Sequence, residues 1–172
     1  MRWGRGTIVV GAGVVGLSAA YYLAALGEMV TVLDRGFPGT GASGDNLGQL
    51  SLMDRDERMQ FSWCMESIAL YRELEEEEGI DTERNECGGL LLLGTEEQRE
   101  IALSLVHSHQ KRGLQVGFLD TKGIKDIEPH FDAPSLLGAL YCPREGSIMP
   151  LKTLNGLTEA ARRRGVSFRL NR

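Results

Sequence analysis

The hydrophobic period changes several times along the chain, and each change predicts an element. Thr7-Ile8-Val9-Val10 is β-branched and apolar throughout, the pattern of a central parallel strand covered on both faces. From Val14 to Leu26 the apolar residues take a helical spacing, and Gly27 stands where a glycine ends a helix. Met29 to Leu33 reads as a second strand, which completes a βαβ unit with an expected right-handed crossover. Arg35 to Gly48 is too rich in glycine to form a helix. Asp54 with Glu57 three residues on reads as a capping box, opening a helix that runs to about Glu78. Met59, Trp63, Leu70 and Leu74 form its expected buried stripe, and Glu75 to Glu78 its solvated face.

Gly88 to Leu93 reads as a buried strand, and Thr95 with Gln98 caps a further helix that ends at Gly113. Val116 and Phe118 suggest a strand, followed by a short helix stopped at Pro129. Leu136 to Tyr141 is another strand. Leu151, Leu154, Leu157 and Ala161 give one helix face ending at Gly165, and a strand begins at Val166. No internal repeat interrupts this order.

Composition narrows the classes. The chain has 172 residues, 42% hydrophobic and 25% charged, ordinary proportions for a soluble globular protein. A net charge of −5 argues against a nucleic-acid partner, and Arg162 to Arg164 read as a helix end complementing its dipole. Cys64, Cys87 and Cys142 show no metal-ligand spacing and are expected to be packing residues in a reducing, cytoplasmic compartment, with no metal site. Thr7 to Gly27 carries no charge and is long enough to imitate a membrane span. Glycines interrupt its front and a second apolar run follows it up to Asp34, so the expectation is a buried soluble unit with no span.

The chemistry sits in Gly11-x-Gly13-x-x-Gly16. Three fixed glycines alone would arise by accident roughly 0.35 times in such a chain, so context carries the signal. The motif follows a strand, opens a helix, and is followed by a second strand ending in Asp34. Gly11 allows the tight turn, Gly13 a close backbone approach to a pyrophosphate, and Gly16 close helix–strand packing. The N–H groups near Gly13, Val14 and Val15 present partial positive charge to a diphosphate. Asp34 can accept both hydroxyls of an adenosine ribose and would repel a 2′-phosphate. FAD and NAD both fit this unit. The segment Gly36 to Gly48 then favours FAD, because its small residues, hydroxyls and amide suit a second clamp on an extended ligand.

The run Ile8 to Ala24 with its three glycines, then Val32-Leu33-Asp34-Arg35, then Gly41-Ala42-Ser43-Gly44-x-Asn46-x-Gly48, resembles the D-amino-acid-oxidase-like flavoproteins. Gly146-x-x-x-Pro150 before a helix is similar to that family too. The resemblance implies that Gly11, Gly13 and Gly16 line the FAD diphosphate, that Asp34 holds the adenosine ribose and that Arg35 lies beside it. It places Gly41, Ala42, Ser43, Asn46, Gly48 and Gln49 along the diphosphate and ribityl chain. Asp34 stands where many relatives have Glu, and Asp45 where some have Arg.

The implied fold is α/β, a Rossmann-like FAD-binding βαβ domain with part of a β-rich substrate domain. Residues 1–85 and 146–172 are expected in the first and 86–145 in the second. The implied reaction is oxidation of an amino acid or related amine by hydride transfer to flavin. The family continues well beyond this length, so the chain is expected to be an inactive fragment whose exposed sheet edges favour a homo-oligomer or a partner subunit. His130, Tyr141 and Arg144 are read as ordinary surface or core residues, and no catalytic residue is named. The alternatives are an NAD-dependent dehydrogenase domain and a non-catalytic flavin-binding subunit.

Overall fold

A computed structural model describes residues 6–55, 58–132 and 134–171. The apolar run from Thr7 to Gly27 resolves into strand, turn and helix. β1 (Thr7–Val10) leads into α1 (Val14–Ala25), and β2 (Val30–Leu33) returns parallel to β1 with Val9 opposite Val32. Gly27 takes a φ of +86° just past the α1 cap, as a helix-ending glycine should. Among the described residues no helix is long and apolar enough to cross a membrane.

The chain divides into two compact units. The first comprises Met1–Gly48, Leu70–Arg84 and Ile148–Arg172, and the second Gln49–Ala69 and Asn85–Ser147. Residues 49–69 thus cluster with the second unit, although the sequence reading grouped them with the first.

In the first unit β8 (Ser167–Arg169) joins the far side of β2, again parallel, so the sheet order is β1-β2-β8. The core lies between this sheet, α1 and α5 (Pro150–Arg163), with Leu17, Val32, Leu154, Leu157 and Ala161 at its centre. Two expectations fail here. β1 is not covered on both faces: among the described residues it pairs only with β2, and Ile8 and Val10 are 63% and 83% exposed. Leu151 lies half exposed on α5, whose buried face holds Thr153, Leu154, Leu157 and Thr158 instead.

The second unit pairs β4 (Gly89–Leu93), β5 (Gly117–Leu119) and β6 (Gly138–Cys142) antiparallel in the order β4-β6-β5. α3 (Glu96–Lys111) and α4 (Thr121–Ile127) connect them, and the Thr95 hydroxyl accepts from Gln98 N–H as the expected cap. β4 is an edge strand, so the expectation of burial holds for Leu93 and not for Leu92. β3 (Gln49–Leu50) and β7 (Gly146–Ser147) form a two-residue antiparallel pair that no periodicity could announce. Cys142 is buried as expected, Cys64 is partly buried and Cys87 is exposed, so packing does not account for Cys87.

The long helix α2 (Arg58–Glu78) corrects two further expectations. Its expected stripe is largely on the surface: Met59 and Trp63 are 58% and 56% exposed, Leu70 is exposed, and only Leu74 is buried. The first half buries Phe61 and Ile68 in the second unit's core, whereas Leu74 is buried in the first unit's. At about 100° per residue Leu74 points roughly 120–140° away from Ile68 and Phe61, so no single stripe describes the helix. Nor is Glu75 to Glu78 simply solvated. Glu78 accepts from Tyr21 (2.7 Å), Arg163 (2.9 Å) and Arg164 (2.6 Å), and Glu75 from Thr82 and Arg84. Arg163 and Arg164 therefore do more than complement the α5 dipole. The expected capping box rests on Glu57, which lies outside the described residues.

Candidate functional site

The glycine turn after β1 is shaped by contacts that leave no room for side chains. Gly11 has a φ of +108° and donates its N–H to Leu33 O (2.8 Å). A Cβ on Gly16 would run into the carbonyl oxygen of Gly11, which is why the third position must be glycine. Gly13 caps α1 through its carbonyl, accepting from Leu17 N–H (2.9 Å), with no side-chain cap. The first N–H groups of any helix lack intrahelical acceptors. Here Val14 N–H reaches Ser43 Oγ (3.1 Å), while those of Gly13, Val15 and Gly16 meet no protein acceptor among the described residues.

Asp34, at the end of β2, joins two loops through its carboxylate. Oδ2 accepts from Ala12 N–H (2.6 Å) and Oδ1 from Gly36 N–H (2.7 Å). These two bonds, led by Ala12 and aided by the neighbouring Arg35 charge, hold its carboxyl below the usual carboxylate range, so it is anionic at neutral pH.

The second glycine loop is fixed rather than loose. Asn46 donates to Ala42 O (3.1 Å) and Ser43 O (2.8 Å) while its own Oδ1 accepts from Gly48 N–H (2.7 Å). A Cβ on Gly44 would strike the Gly39 carbonyl and press on Leu151 of α5 at 3.2 Å, so the loop folds closely on itself and on that helix. Gly48 O accepts from Ile148 N–H (2.8 Å) and closes the loop.

The two loops enclose a cleft of about 160 Å³. Of the sequence-predicted residues, Gly13, Asp34, Arg35, Gly41, Ala42 and Ser43 line it. Gly11, Val14, Val15 and Gly16 form the adjoining turn and first helical turn. Asn46 and Gly48 stand behind it as staples of the loop, and Gln49 lies outside it, opening β3 in the second unit. Phe37 and Thr40 line the cleft and were not singled out from the sequence, although both fall within the loop already assigned to a second clamp. None of His130, Tyr141 and Arg144 lines it.

A dinucleotide fits the donor set. Uncommitted helix-start N–H groups suit a diphosphate, and the Ser43 hydroxyl, accepting from Val14, keeps its own hydrogen to donate. The volume is below the roughly 300–1,000 Å³ of a ligand pocket, so the cleft suits a diphosphate and adjoining ribose rather than a whole dinucleotide. Two hollows of the second unit are larger, about 450 and 510 Å³. The first adjoins the start of α4, but the Asp120 side chain already caps that helix through Gly123 N–H. The second lies at the end of α3 and has no helix start in its lining. The first carries Lys122 and Lys125, but neither hollow brings free helix-start N–H groups and an anionic ribose acceptor together as the cleft does.

Residues 7–172 match the family model described as DAO, FAD dependent oxidoreductase. The chain is 27% identical over 163 residues to the mitochondrial pyruvate dehydrogenase phosphatase regulatory subunit of Mus musculus, covering 94% of this chain and 18% of that protein. It is 30% identical over 174 residues to glycine oxidase of Bacillus licheniformis, covering 96% of this chain and 45% of the other. The crystal structure of glycine oxidase from Geobacillus kaustophilus superposes with a TM-score of 0.87 at 27% identity, over 95% of this chain and 46% of that one. The chain thus spans less than half the length of these relatives.

Proposed function

The chain belongs to the DAO family of FAD-dependent oxidoreductases, and from that premise we propose that it forms the FAD-binding part of an enzyme oxidising an amino acid or a related primary or secondary amine. The observation that carries the reading is the cleft in which free helix-start N–H groups, the Ser43 hydroxyl and the Asp34 carboxylate stand together. Gly11, Gly13, Val14, Val15 and Gly16 would hold the diphosphate through backbone and close approach. Asp34 would hold the adenosine ribose and turn away a 2′-phosphate, and Arg35 would lie beside the adenosine. Gly41, Ala42 and Ser43 would follow the diphosphate toward the flavin, Asn46 and Gly48 would keep that path in shape, and Gln49 would follow them. Flavin bound there supplies two-electron oxidation of a carbon–nitrogen bond. This chain's own residues bind and orient, and none is assigned a proton transfer. The family match favours FAD over the NAD-dependent alternative. A soluble, cytoplasmic setting and assembly with a second copy or a partner subunit through exposed sheet edges belong to the same proposal.

One relative is named a regulatory subunit, which favours a second reading, a flavin-binding module without turnover. Anaerobic addition of amino acids and N-methyl amines to the flavin-loaded full-length protein separates the two. Bleaching of the visible flavin band supports the oxidase reading. A band that no amine changes contradicts it.

A further inference from the structure

Leu52 and Met53 form a buried turn between β3 and α2, so their backbone groups cannot rely on water. Two side chains supply most of their partners. Oε1 of Glu145 accepts from Leu52 N–H (2.5 Å) and Met53 N–H (2.6 Å). His109 Nε2 lies 3.0 Å from Met53 O and therefore donates to it, while Leu52 O accepts from Arg55 N–H (3.2 Å). All four groups are satisfied.

Glu145 is itself tied down. It is only 2% exposed, follows the turn after β6, bonds Cys142 O through its N–H (3.3 Å) and accepts from Gly88 N–H (2.9 Å) through its carbonyl. A Cβ on Gly89 would collide with Oε2, so the carboxyl has one seat. Its neighbour Gly146 pairs with Leu50 across the β7–β3 ladder, and Ser147 with Gln49. One buried carboxyl thus fixes the backbone from Gln49 to Met53 on its ladder side and its turn side.

We propose that Glu145 is a positioning residue that holds the Gln49–Met53 backbone in place. Its effect on FAD rests on the assignment of Gln49 to the cofactor path. Burial pushes its carboxyl above the usual range, against the pull of the Met53 and Leu52 N–H groups. Asp54 on the turn raises it further and His109 on α3 lowers it. The Cys142 thiol of β6 also faces it. A carboxyl raised on folding contributes stability that is complete below the ordinary carboxylate range and is lost as pH rises through the raised value. Neutral Glu145 still offers Oε1 to both N–H groups, as would the amide of Glu145→Gln, which cannot ionise.

The test is hydrogen exchange at Leu52 and Met53, melting temperature against pH, and FAD titration, in wild type, Glu145→Gln and Glu145→Ala. Glu145→Ala strands two buried N–H groups, so their exchange should rise by about tenfold or more and FAD binding should weaken. Glu145→Gln should exchange like wild type, and its margin in melting temperature over wild type should widen as pH rises. Unchanged exchange in Glu145→Ala overturns the brace, whereas parallel pH profiles for wild type and Glu145→Gln overturn the upward shift of its carboxyl. Faster exchange with unchanged FAD affinity overturns the link to Gln49 and leaves the flavin reading standing. A wild-type chain that takes no FAD overturns the flavin reading, while exchange still decides the brace.

Discussion

Asp34→Asn replaces one carboxylate oxygen by NH2 and should damage the cleft twice. In the native chain each carboxylate oxygen accepts one backbone N–H, from Ala12 and from Gly36. An amide keeps only one acceptor, so in either orientation its NH2 faces one of those N–H groups, donor against donor. The substitution also removes the anionic acceptor proposed for the ribose hydroxyls. Losing a hydrogen bond to a charged acceptor costs roughly 1.5–3 kcal/mol, which is about ten- to a hundredfold in affinity. Quenching of flavin fluorescence during an FAD titration reads the affinity, and a melting curve on the same sample checks that the fold survives. Asp34 has a carboxyl held below its usual range. Its contribution should therefore persist as pH falls through the ordinary carboxylate range and fade only below it. Asp34→Asn binding FAD as tightly as wild type, in a folded chain, would remove Asp34 from the site.

Glu78→Gln tests the carboxylate that receives Tyr21, Arg163 and Arg164, bonds that hold its carboxyl down to about 2. A shift of that size corresponds to about 3 kcal/mol before screening, and to on the order of 1–2 kcal/mol once the solvent-open arginines are allowed for. The variant should melt several degrees lower at pH 7, and the gap should shrink as pH falls below the ordinary glutamate value toward 2; a constant gap would contradict the assignment. Gly16→Ala should cost FAD binding and stability together, because its Cβ meets the Gly11 carbonyl; a stable variant with normal affinity would show that the turn has slack. The chain by itself should sediment as a dimer or larger, because β1 leaves an unpaired edge with Ile8 and Val10 exposed. A clean monomer at high concentration would show that those edges are tolerated.

The βαβ unit was legible because three signals agree within some thirty residues: an apolar β-branched run, a helical period, and glycines at the turn between them. Asp34 followed from its place at the end of the second strand. What escaped the sequence depended on contacts from far along the chain. Tyr21, Arg163 and Arg164 meet Glu78 across separations of 57 to 86 residues, and a run of four glutamates looks solvated until those partners fold against it. α2 misled because two halves of one helix bury different faces. The bonds by which Asn46 staples Ala42, Ser43 and Gly48 of its own loop follow no period that a sequence displays. Glu145 gave no signal at all, since a single acid after Pro143 and Arg144 resembles any surface turn.

The cleft around Gly13, Asp34 and Ser43 is assigned by the proposal above to FAD. The visible absorption spectrum of the purified chain, recorded while FAD is added and free flavin is subtracted, tests that assignment most directly. A saturable change in the flavin bands that NAD does not compete away is the expected result. Tight binding of NAD with no perturbation of the flavin spectrum would contradict it.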